Sequence, residues 1–215
     1  MPRPIFANAC YYHVYNRGVL KQPIFLEEID YVRFVQNLYI FNDTLPAKRH
    51  RNADIGCRQR KQVVSILAWC LMPNHFHLFL EQREEGGVTQ FMRKMGDGYT
   101  KYMNKKYERT GHLFQGKFQA KIIQTDPYFL HISRYLHRNP LDLLGPGFDG
   151  PLHGKKFHQA MQFLEIYRWS SYLDWIGTTN FPSLLDLKEV AALTKNLDYQ
   201  RFVLADAPPT SDVGI

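Results

Sequence analysis

Two apolar segments joined by a short turn place the strongest constraint on what this chain can fold into. Residues 63–70 form an almost unbroken apolar run, and residues 75–80 begin with two histidines separated by one apolar residue. The Pro-Asn pair at residues 73–74 is typical of a tight turn. Because successive side chains of a strand point to opposite faces, His75 and His77 lie on one face, and the apolar side chains at even-numbered positions point into a core. The sequence therefore predicts two adjacent antiparallel strands, with two imidazoles close enough to share one metal ion.

Apolar spacing elsewhere predicts the other elements of the fold. In chain order we expect a strand at residues 10–15 ending in a turn at 16–18, a helix at 24–41, the two strands above, a helix at 88–107 interrupted by glycines, a strand at 119–124 and a helix at 126–139 stopped by Pro140. The order βαββαβ is that of the ferredoxin-like arrangement. We therefore predict an α+β fold: a ferredoxin-like βαββαβ core with an antiparallel sheet in a domain at residues 8–140, plus a C-terminal helical extension with a frayed tail at residues 141–215.

Charge and composition favour an acidic partner. Lys and Arg number 27 against 20 Asp and Glu, which gives a net charge of +7, and thirteen Tyr and fifteen Phe supply stacking surfaces. Nucleic acid is the commonest acidic partner of such a chain, and a membrane surface is the competing one. No apolar run approaches the roughly 20 residues that a membrane-spanning helix needs, and the first four residues show no signal-peptide core. Three widely spaced cysteines predict free thiols in a reducing cytoplasm.

Two basic stretches have both a structural and a functional interpretation. The segment at residues 46–61 is polar and rich in Lys and Arg. It is either a solvated connection or a basic arm that contacts phosphates. The helix at 88–107 carries lysines on its polar positions, as an ordinary amphipathic helix does, but lysines and tyrosines together also suit a nucleic-acid groove. The sequence leaves both alternatives open.

The last predicted core helix carries a second set of candidate site residues. Tyr135 and Asn139 are four residues apart and therefore lie on one helical face. If that face packs against the sheet near His75 and His77, a phenol and an amide oxygen reach the same ion. Two imidazoles and an amide oxygen suit a divalent ion that keeps open positions for substrate oxygens. The phenol of Tyr135 would then attack a phosphate as a covalent nucleophile.

The proposed nucleophile needs help to ionise. A free phenol has a pKa of about 10, so a nearby cation is required to favour the phenolate at neutral pH. Three basic side chains on the same helix are close in sequence: Arg134, His137 and Arg138. Whether they face the site is a question for the tertiary structure.

Each of these signals alone also has an ordinary structural explanation. A His-x-His pair on a strand is often a pair of partly buried polar residues, a Tyr on an amphipathic helix is more often core than nucleophile, and Asn before Pro is a common helix cap. The rival tyrosines on the basic helix are Tyr99, Tyr102 and Tyr107. They lack a ligand-type residue four positions on, which makes Tyr135 the preferred nucleophile.

Several motifs together resemble a known family. Residues 73–78 (PNHFHL) resemble the HUH motif (His, bulky hydrophobic residue, His) of single-tyrosine transposases, and residues 134–140 (RYLHRNP) resemble their tyrosine helix. Further similar segments lie at residues 12–18 (YHVYNRG), 113–118 (LFQGKF) and 167–172 (YRWSSY). The closest branch is the REP-associated tyrosine transposases, bacterial enzymes that cut single-stranded DNA near folded palindromes.

This resemblance implies a reaction and a set of residues. It implies metal ligands at His75, His77 and Asn139, a nucleophile at Tyr135, and Mg²⁺ or Mn²⁺ as the ion. The implied protein is a metal-dependent endonuclease and strand transferase that acts on single-stranded DNA. It would form a 5′-phosphotyrosine and a free 3′-hydroxyl at hairpin or palindromic repeat ends. It would be a bacterial, cytoplasmic protein that acts in the nucleoid. The basic side chains expected to contact that DNA are Arg17, Lys101, Lys105, Lys117, Lys121, Arg134 and Arg138.

Two other functions stay open at this point. A non-catalytic single-stranded nucleic-acid-binding protein of the same fold would need only the basic, aromatic surface. A zinc-dependent hydrolase using His75 and His77 would need a third His, Cys or carboxylate ligand, and the spacing shows none. The sequence also leaves open whether the protein is a monomer or a homodimer, and whether Tyr135 acts in its own subunit.

Overall fold

Four antiparallel strands form one sheet in the order β2-β3-β1-β4. They are β1 at Tyr11–Arg17, β2 at Val64–Met72, β3 at His75–Gln82 and β4 at Gln119–Ile123. This is a computed structural model, and it describes residues 4–45, 60–124 and 126–205. With two helices between the strands in the order βαββαβ, the predicted α+β, ferredoxin-like core is confirmed.

Helices cover both faces of this sheet. The core helices are α1 at Glu28–Phe41, α2 at Gly87–Lys106 and α3 at Asp126–Arg138. The ring of Phe34 on α1 lies 5.0 Å from Phe76 on β3 and 4.9 Å from Tyr99 on α2. The ring of Phe129 on α3 lies 5.8 Å from Phe79. Because Phe76 and Phe79 point to opposite faces, α1 and α2 lie on one face and α3 on the other.

Strand β1 ends two residues later than the sequence predicted. Asn16 and Arg17, expected in a turn, pair with Phe76 and His75 on β3. The turn begins at Gly18, where an added Cβ would lie 2.1 Å from the carbonyl oxygen of Gln22. The chain therefore reverses only where glycine permits the close approach, and Arg17 is placed opposite His75.

Two helices also differ from their predicted bounds. Helix α1 begins four residues later than expected, because Glu27 and Asp30 form a reciprocal capping box at its start. Helix α2 runs without a break through both of its internal glycines, so the predicted interruption is wrong. At Gly98 an added Cβ would lie 2.6 Å from the ring of Phe41, so this glycine allows α1 and α2 to pack closely.

The C-terminal extension covers the edge of the sheet at β2. Its helices are α4 at Gly154–Ile166, α5 at Tyr172–Trp175, α6 at Leu187–Leu193 and α7 at Tyr199–Leu204. The backbone amide of Leu71 donates to Trp169, and that of Ser171 donates to Trp69, both over 2.9 Å. An exposed edge strand is a template for unwanted pairing, so this contact gives the 167–172 motif a structural role. The boundary between residues 140 and 141 stays a prediction.

The remaining predictions concern the basic segment, the cysteines and membrane-spanning helices. The basic segment, apart from Arg60 and Lys61, lies outside the described residues, as does Cys57. Cys10 and Cys70 are free thiols. Among the described helices, none combines the length and apolar character needed to cross a bilayer.

A buried carboxylate ties the start of α1 to the end of α2. Asp30 is fully buried and accepts hydrogen bonds from Tyr102 (2.8 Å), Lys106 (2.7 Å) and Tyr107 (2.6 Å). Burial alone would raise its pKa, but these bonds and the backbone amide of Leu26 lower the pKa of Asp30 from 3.8 to about 2. The ionised form is therefore the one that the fold stabilises.

Asp30→Asn should destabilise the protein by about 3 kcal/mol at neutral pH, because it removes the charge that three donors share. A depressed carboxyl pKa contributes stability above the unfolded pKa, and this contribution is lost as the pH falls through the folded value. The difference between wild type and variant should therefore be constant above pH 4 and shrink as the pH falls through about 2. Urea unfolding across this range measures it. The exposed Asp97→Asn variant is the control, and an equal loss there would contradict the prediction.

Candidate active site

The predicted imidazoles and phenol meet on one face of the sheet. His75 and His77 lie at the start of β3, beside Arg17 and Tyr15 on β1. Helix α3 crosses this face, and the ring centroid of Tyr135 lies 5.4 Å from that of His77. The two imidazole centroids are 5.0 Å apart. All these side chains come from one chain, so the arrangement does not require a second subunit.

Asn139 completes the cluster at the end of α3. Its side-chain nitrogen donates to the backbone oxygen of Tyr135 over 2.8 Å. This bond turns the amide oxygen of Asn139 toward Nε2 of His75, at 3.5 Å. The four-residue spacing in the helix therefore places both Tyr135 and Asn139 beside the two histidines.

A neighbouring amide sets the tautomer of His75. The side-chain nitrogen of Asn74 donates to the backbone oxygen of Lys21 over 3.1 Å, so its oxygen faces the other way. That oxygen lies 2.7 Å from Nδ1 of His75. Both ring nitrogens of His75 face amide oxygens, which only accept, and the contact with Asn74 at 2.7 Å is much shorter than the one with Asn139 at 3.5 Å. The shorter contact assigns the proton to Nδ1 of His75, and Nε2 keeps a lone pair for a ligand.

His77 has one nitrogen bound and one nitrogen without a partner. Its side chain is fully buried, and its Nδ1 lies 2.8 Å from Nε2 of His13 on β1. Its Nε2 is buried and has no hydrogen-bond partner among the described residues. A buried nitrogen left in this way costs about 1–3 kcal/mol, so Nε2 of His77 is a natural position for a bound cation.

The electrostatics keep the imidazoles neutral. Burial lowers the pKa of His75 to about 4, and the pKa of His77 is held well below its usual 6.5 by burial and by the neighbouring His13, His75 and Arg17. Neutral imidazole is the form that binds metals. Burial raises the pKa of Tyr135, with a hydrogen bond to Asn139 opposing it. The phenol is therefore protonated at neutral pH in the protein alone.

The donor set fits a hard divalent ion. Two imidazole nitrogens and one amide oxygen leave several positions open, which suits Mg²⁺ or Mn²⁺ with substrate oxygens. Among the described residues, no group of three or more His, Cys, Asp or Glu side chains could hold a metal ion. The third ligand that a zinc hydrolase would need is not found in that part of the chain.

Comparison with known proteins agrees with this geometry. Residues 43–139 match a family described as transposase IS200 like, and the match includes the strand with both histidines and the helix with Tyr135. The predicted family resemblance is confirmed. A solved structure described as "Structure of the REP associates tyrosine transposase bound to a REP hairpin" matches with a TM-score of 0.53 at 14% identity, covering 85% of this chain and 88% of that chain. This likeness shows a shared fold. No curated protein matches the chain.

The rival tyrosines lie on the other face of the sheet. Tyr99 on α2 is fully buried and donates to the backbone oxygen of Ile24 over 2.8 Å. Tyr102 and Tyr107 both donate to Asp30. These three phenols stabilise the packing of α1 against α2, and none of them lies beside the imidazoles.

The basic residues of α3 hold the C-terminal extension. The guanidinium group of Arg134 donates to the backbone oxygen of Ala205, and that of Arg138 donates to Gly150 over 2.7 Å. His137 is buried, with ring nitrogens 2.7 Å from the hydroxyl of Tyr199 and 2.8 Å from Oγ of Ser171. These contacts give Arg134 and Arg138 an intramolecular role, and their contact with DNA stays a prediction. The cation beside the imidazoles is instead Arg17.

The other predicted DNA-contacting residues lie in different places. Lys101 and Lys117 are exposed and line one cleft of about 810 Å³ between α2 and residues 112–118. Lys105 is exposed near the end of α2. Lys121 pairs with His13 across the β1–β4 ladder and so lies at the edge of the candidate active site.

Two residues of the site were missed by the sequence analysis, namely His13 and Tyr15. The ring of His13 lies 5.8 Å from Tyr135, and the ring of Tyr15 lies 5.8 Å from His77. The signal was available in the period-two spacing of His13, Tyr15 and Arg17. This spacing was overlooked because the predicted strand ended at Tyr15, so Arg17 was not counted on the same strand face as His13 and Tyr15.

Proposed function

We propose that this protein is a metal-dependent endonuclease and strand transferase for single-stranded DNA, with Tyr135 as nucleophile. The observation that carries the proposal is the packing of the Tyr135 ring against His77, with Asn139 directed at His75. The match to a family of transposases supports the reaction class.

The reaction is a transesterification. The phenolic oxygen of Tyr135 attacks a backbone phosphorus, a bond from phosphorus to that oxygen forms, and the bond to the 3′ oxygen breaks. The products are a 5′-phosphotyrosine on the downstream fragment and a free 3′-hydroxyl on the upstream fragment. The proton lost by the phenol balances the proton gained by the departing oxygen, and attack by a 3′-hydroxyl reverses the step.

We assign the metal ligands to Nε2 of His75, Nε2 of His77 and the amide oxygen of Asn139. A bound Mg²⁺ or Mn²⁺ supplies Lewis-acid polarisation of the scissile phosphate. The protein's own part is to hold two neutral imidazoles by their Nδ1 atoms and to keep the phenol close to them. Arg17, beside both imidazoles, supplies positive charge for a phosphate on the same face.

We assign the DNA interface in part to the cleft beside α2. Its lining combines apolar rings, such as Phe114, with the basic side chains Arg93, Lys101 and Lys117. Rings that stack on bases and cations that meet phosphates are the usual means of binding a single strand. We infer a hairpin or palindromic repeat end as the substrate, since the DNA in the similar solved structure is a REP hairpin. Such a reaction would take place on nucleoid DNA in the bacterial cytoplasm.

The double variant Lys101→Ala/Lys117→Ala should bind single-stranded DNA more weakly. Each lost phosphate contact on a single strand lowers the slope of log K against log salt by about 0.7, so the slope should fall by about 1.4. Fluorescence anisotropy over a salt series measures it. The matched control is Lys155→Ala/Lys188→Ala, two exposed lysines of the C-terminal extension. A slope equal to that of the wild type would remove these two lysines from the interface.

The proposed function is tested by trapping its intermediate. An oligonucleotide with a hairpin and single-stranded flanks is labelled at its 3′ end and incubated with the protein and Mn²⁺. The expected product is a labelled, SDS-resistant adduct, because the phosphotyrosine retains the downstream fragment. The same DNA labelled at its 5′ end should give a free fragment and no adduct. EDTA should abolish both products. Binding without cleavage under Mg²⁺ and Mn²⁺ alike would reject the proposal.

One observation favours the second function, a non-catalytic binding protein. Burial raises the pKa of Tyr135, and the guanidinium groups of Arg134 and Arg138 donate to backbone oxygens of the C-terminal extension. A protein that had lost catalysis would show salt-dependent binding of single-stranded DNA and no adduct with either ion. The trapping experiment therefore separates the two functions.

A further inference from the structure

One buried histidine of the site face contacts a proposed metal ligand without being a ligand itself. His13 lies on β1, is 1% exposed, and its Nε2 is 2.8 Å from Nδ1 of His77. The two rings are nearly parallel, with centroids 5.1 Å apart. Nδ1 of His13 and Nε2 of His77, the outer atoms of the pair, have no hydrogen-bond partner among the described residues.

Counting protons on this pair gives only two arrangements. Two neutral imidazoles share two protons over four nitrogens, and one proton must lie in the bond between them. If His13 donates it, the second proton lies on Nε2 of His77, and this atom cannot bind a cation. If His77 donates it, Nε2 of His77 keeps a lone pair, and the second proton lies on Nδ1 of His13.

We propose that His13 is a positioning residue, which accepts the Nδ1 proton of His77 and so holds His77 in the tautomer that binds the metal ion through Nε2. The inference rests on the proposed function, because it needs a metal at His77. In this arrangement His13 does for His77 what the amide oxygen of Asn74 does for His75. Such partners of metal-binding histidines orient the ring and raise the basicity of the ligand.

The two histidines are held by different kinds of acceptor. The amide oxygen of Asn74 can only accept, so the tautomer of His75 is set before any ligand arrives. The imidazole of His13 can donate or accept, so the tautomer of His77 is fixed only when a cation binds Nε2 of His77. The proton on Nδ1 of His13 is then buried among neighbours that include the ring of Tyr15 at 5.0 Å. Starting from the other arrangement, metal binding would move two protons: the shared one from Nε2 of His13 to Nδ1 of His77, and the outer one from Nε2 of His77 to Nδ1 of His13.

The test compares two substitutions of His13 by their affinity for Mn²⁺ alone, measured by electron paramagnetic resonance. His13→Leu removes the acceptor and should weaken Mn²⁺ binding by roughly 10- to 100-fold. His13→Gln keeps an acceptor oxygen close to the position of Nε2 and should bind within about 3-fold of the wild type. Thermal unfolding without metal identifies a variant that has lost its fold, and a purely structural role would not predict rescue by glutamine.

A second measurement needs no variant. In ¹⁵N-labelled wild-type protein saturated with Mg²⁺, NMR should show the proton on Nδ1 of His77 and on Nδ1 of His13. A proton on Nε2 of His77 under these conditions would overturn both the role of His13 and the assignment of His77 as a metal ligand. Equal Mn²⁺ affinity in wild type and His13→Leu would overturn the role of His13 and leave the proposed function intact. Absence of Mn²⁺ binding in the wild type would overturn the role of His13 and the proposed function together.

Discussion

Tyr135→Phe should abolish the covalent protein–DNA adduct and reduce strand cleavage by at least about 10³-fold, since loss of a nucleophile removes the whole covalent route. The substitution deletes only the phenolic oxygen. The ring can keep its contacts with His77 and His13, so the fold and the metal ligands should be unchanged. Gel analysis of the adduct after SDS denaturation, together with cleavage rates under single-turnover conditions, measures the loss.

The control for this variant is Tyr15→Phe, since Tyr15 is a second phenol on the same face of the sheet with its ring 5.8 Å from that of His77. Its hydroxyl has no assigned role in the reaction, and the adduct should persist in the variant. DNA binding should be similar in both variants and in the wild type. An adduct that is undiminished in Tyr135→Phe and lost in Tyr15→Phe would transfer the nucleophile to β1.

His77→Ala should remove metal-dependent cleavage and the effect of Mn²⁺ on thermal stability. A ligand that binds only the folded state stabilises it by about 2.7 kcal/mol at 100 times its dissociation constant, so the melting temperature of the wild type should rise with added Mn²⁺. The variant lacks the buried Nε2 atom that has no other partner among the described residues, so this rise should be absent. We expect cleavage to fall by at least about 10²-fold.

The control for His77→Ala is His158→Ala, a substitution of an exposed histidine on α4. It should melt and respond to Mn²⁺ as the wild type does. Because His77 is fully buried, its variant will also lose some stability without metal, and the informative quantity is the shift caused by Mn²⁺ in each protein. A full shift in His77→Ala would exclude this histidine as a ligand.

The prediction of the core elements from sequence succeeded where the pattern was long and regular. The alternating residues of β3 and the helical spacing around Tyr135 each defined one face of one element. Apart from the predicted interruption of α2, the errors arose at the ends of elements. Arg17 was assigned to a turn because the chain reverses nearby, but it still pairs with His75 in the sheet. The turn begins at Gly18, where a side chain would collide with the carbonyl oxygen of Gln22.

The DNA contacts expected of Arg134 and Arg138 on α3 stay a prediction, and the structure adds an intramolecular partner for each. Arg134 and Arg138 are charged and adjacent to the nucleophile in sequence, which suggested a phosphate site. They lie on the sides of the helix that face the C-terminal extension, where backbone oxygens of that extension accept their hydrogen bonds. A long basic side chain satisfies either partner equally well, so its sequence position alone does not identify which one it meets.

The sequence by itself determined which side chains share a face: the two histidines by the period of a strand, and Tyr135 with Asn139 by the period of a helix. Only the tertiary structure decided that these two faces touch, and that Nε2 of His13 contacts Nδ1 of His77. The reason is physical. Local spacing follows from the geometry of the backbone, whereas contact between elements far apart in the chain depends on how the whole core packs.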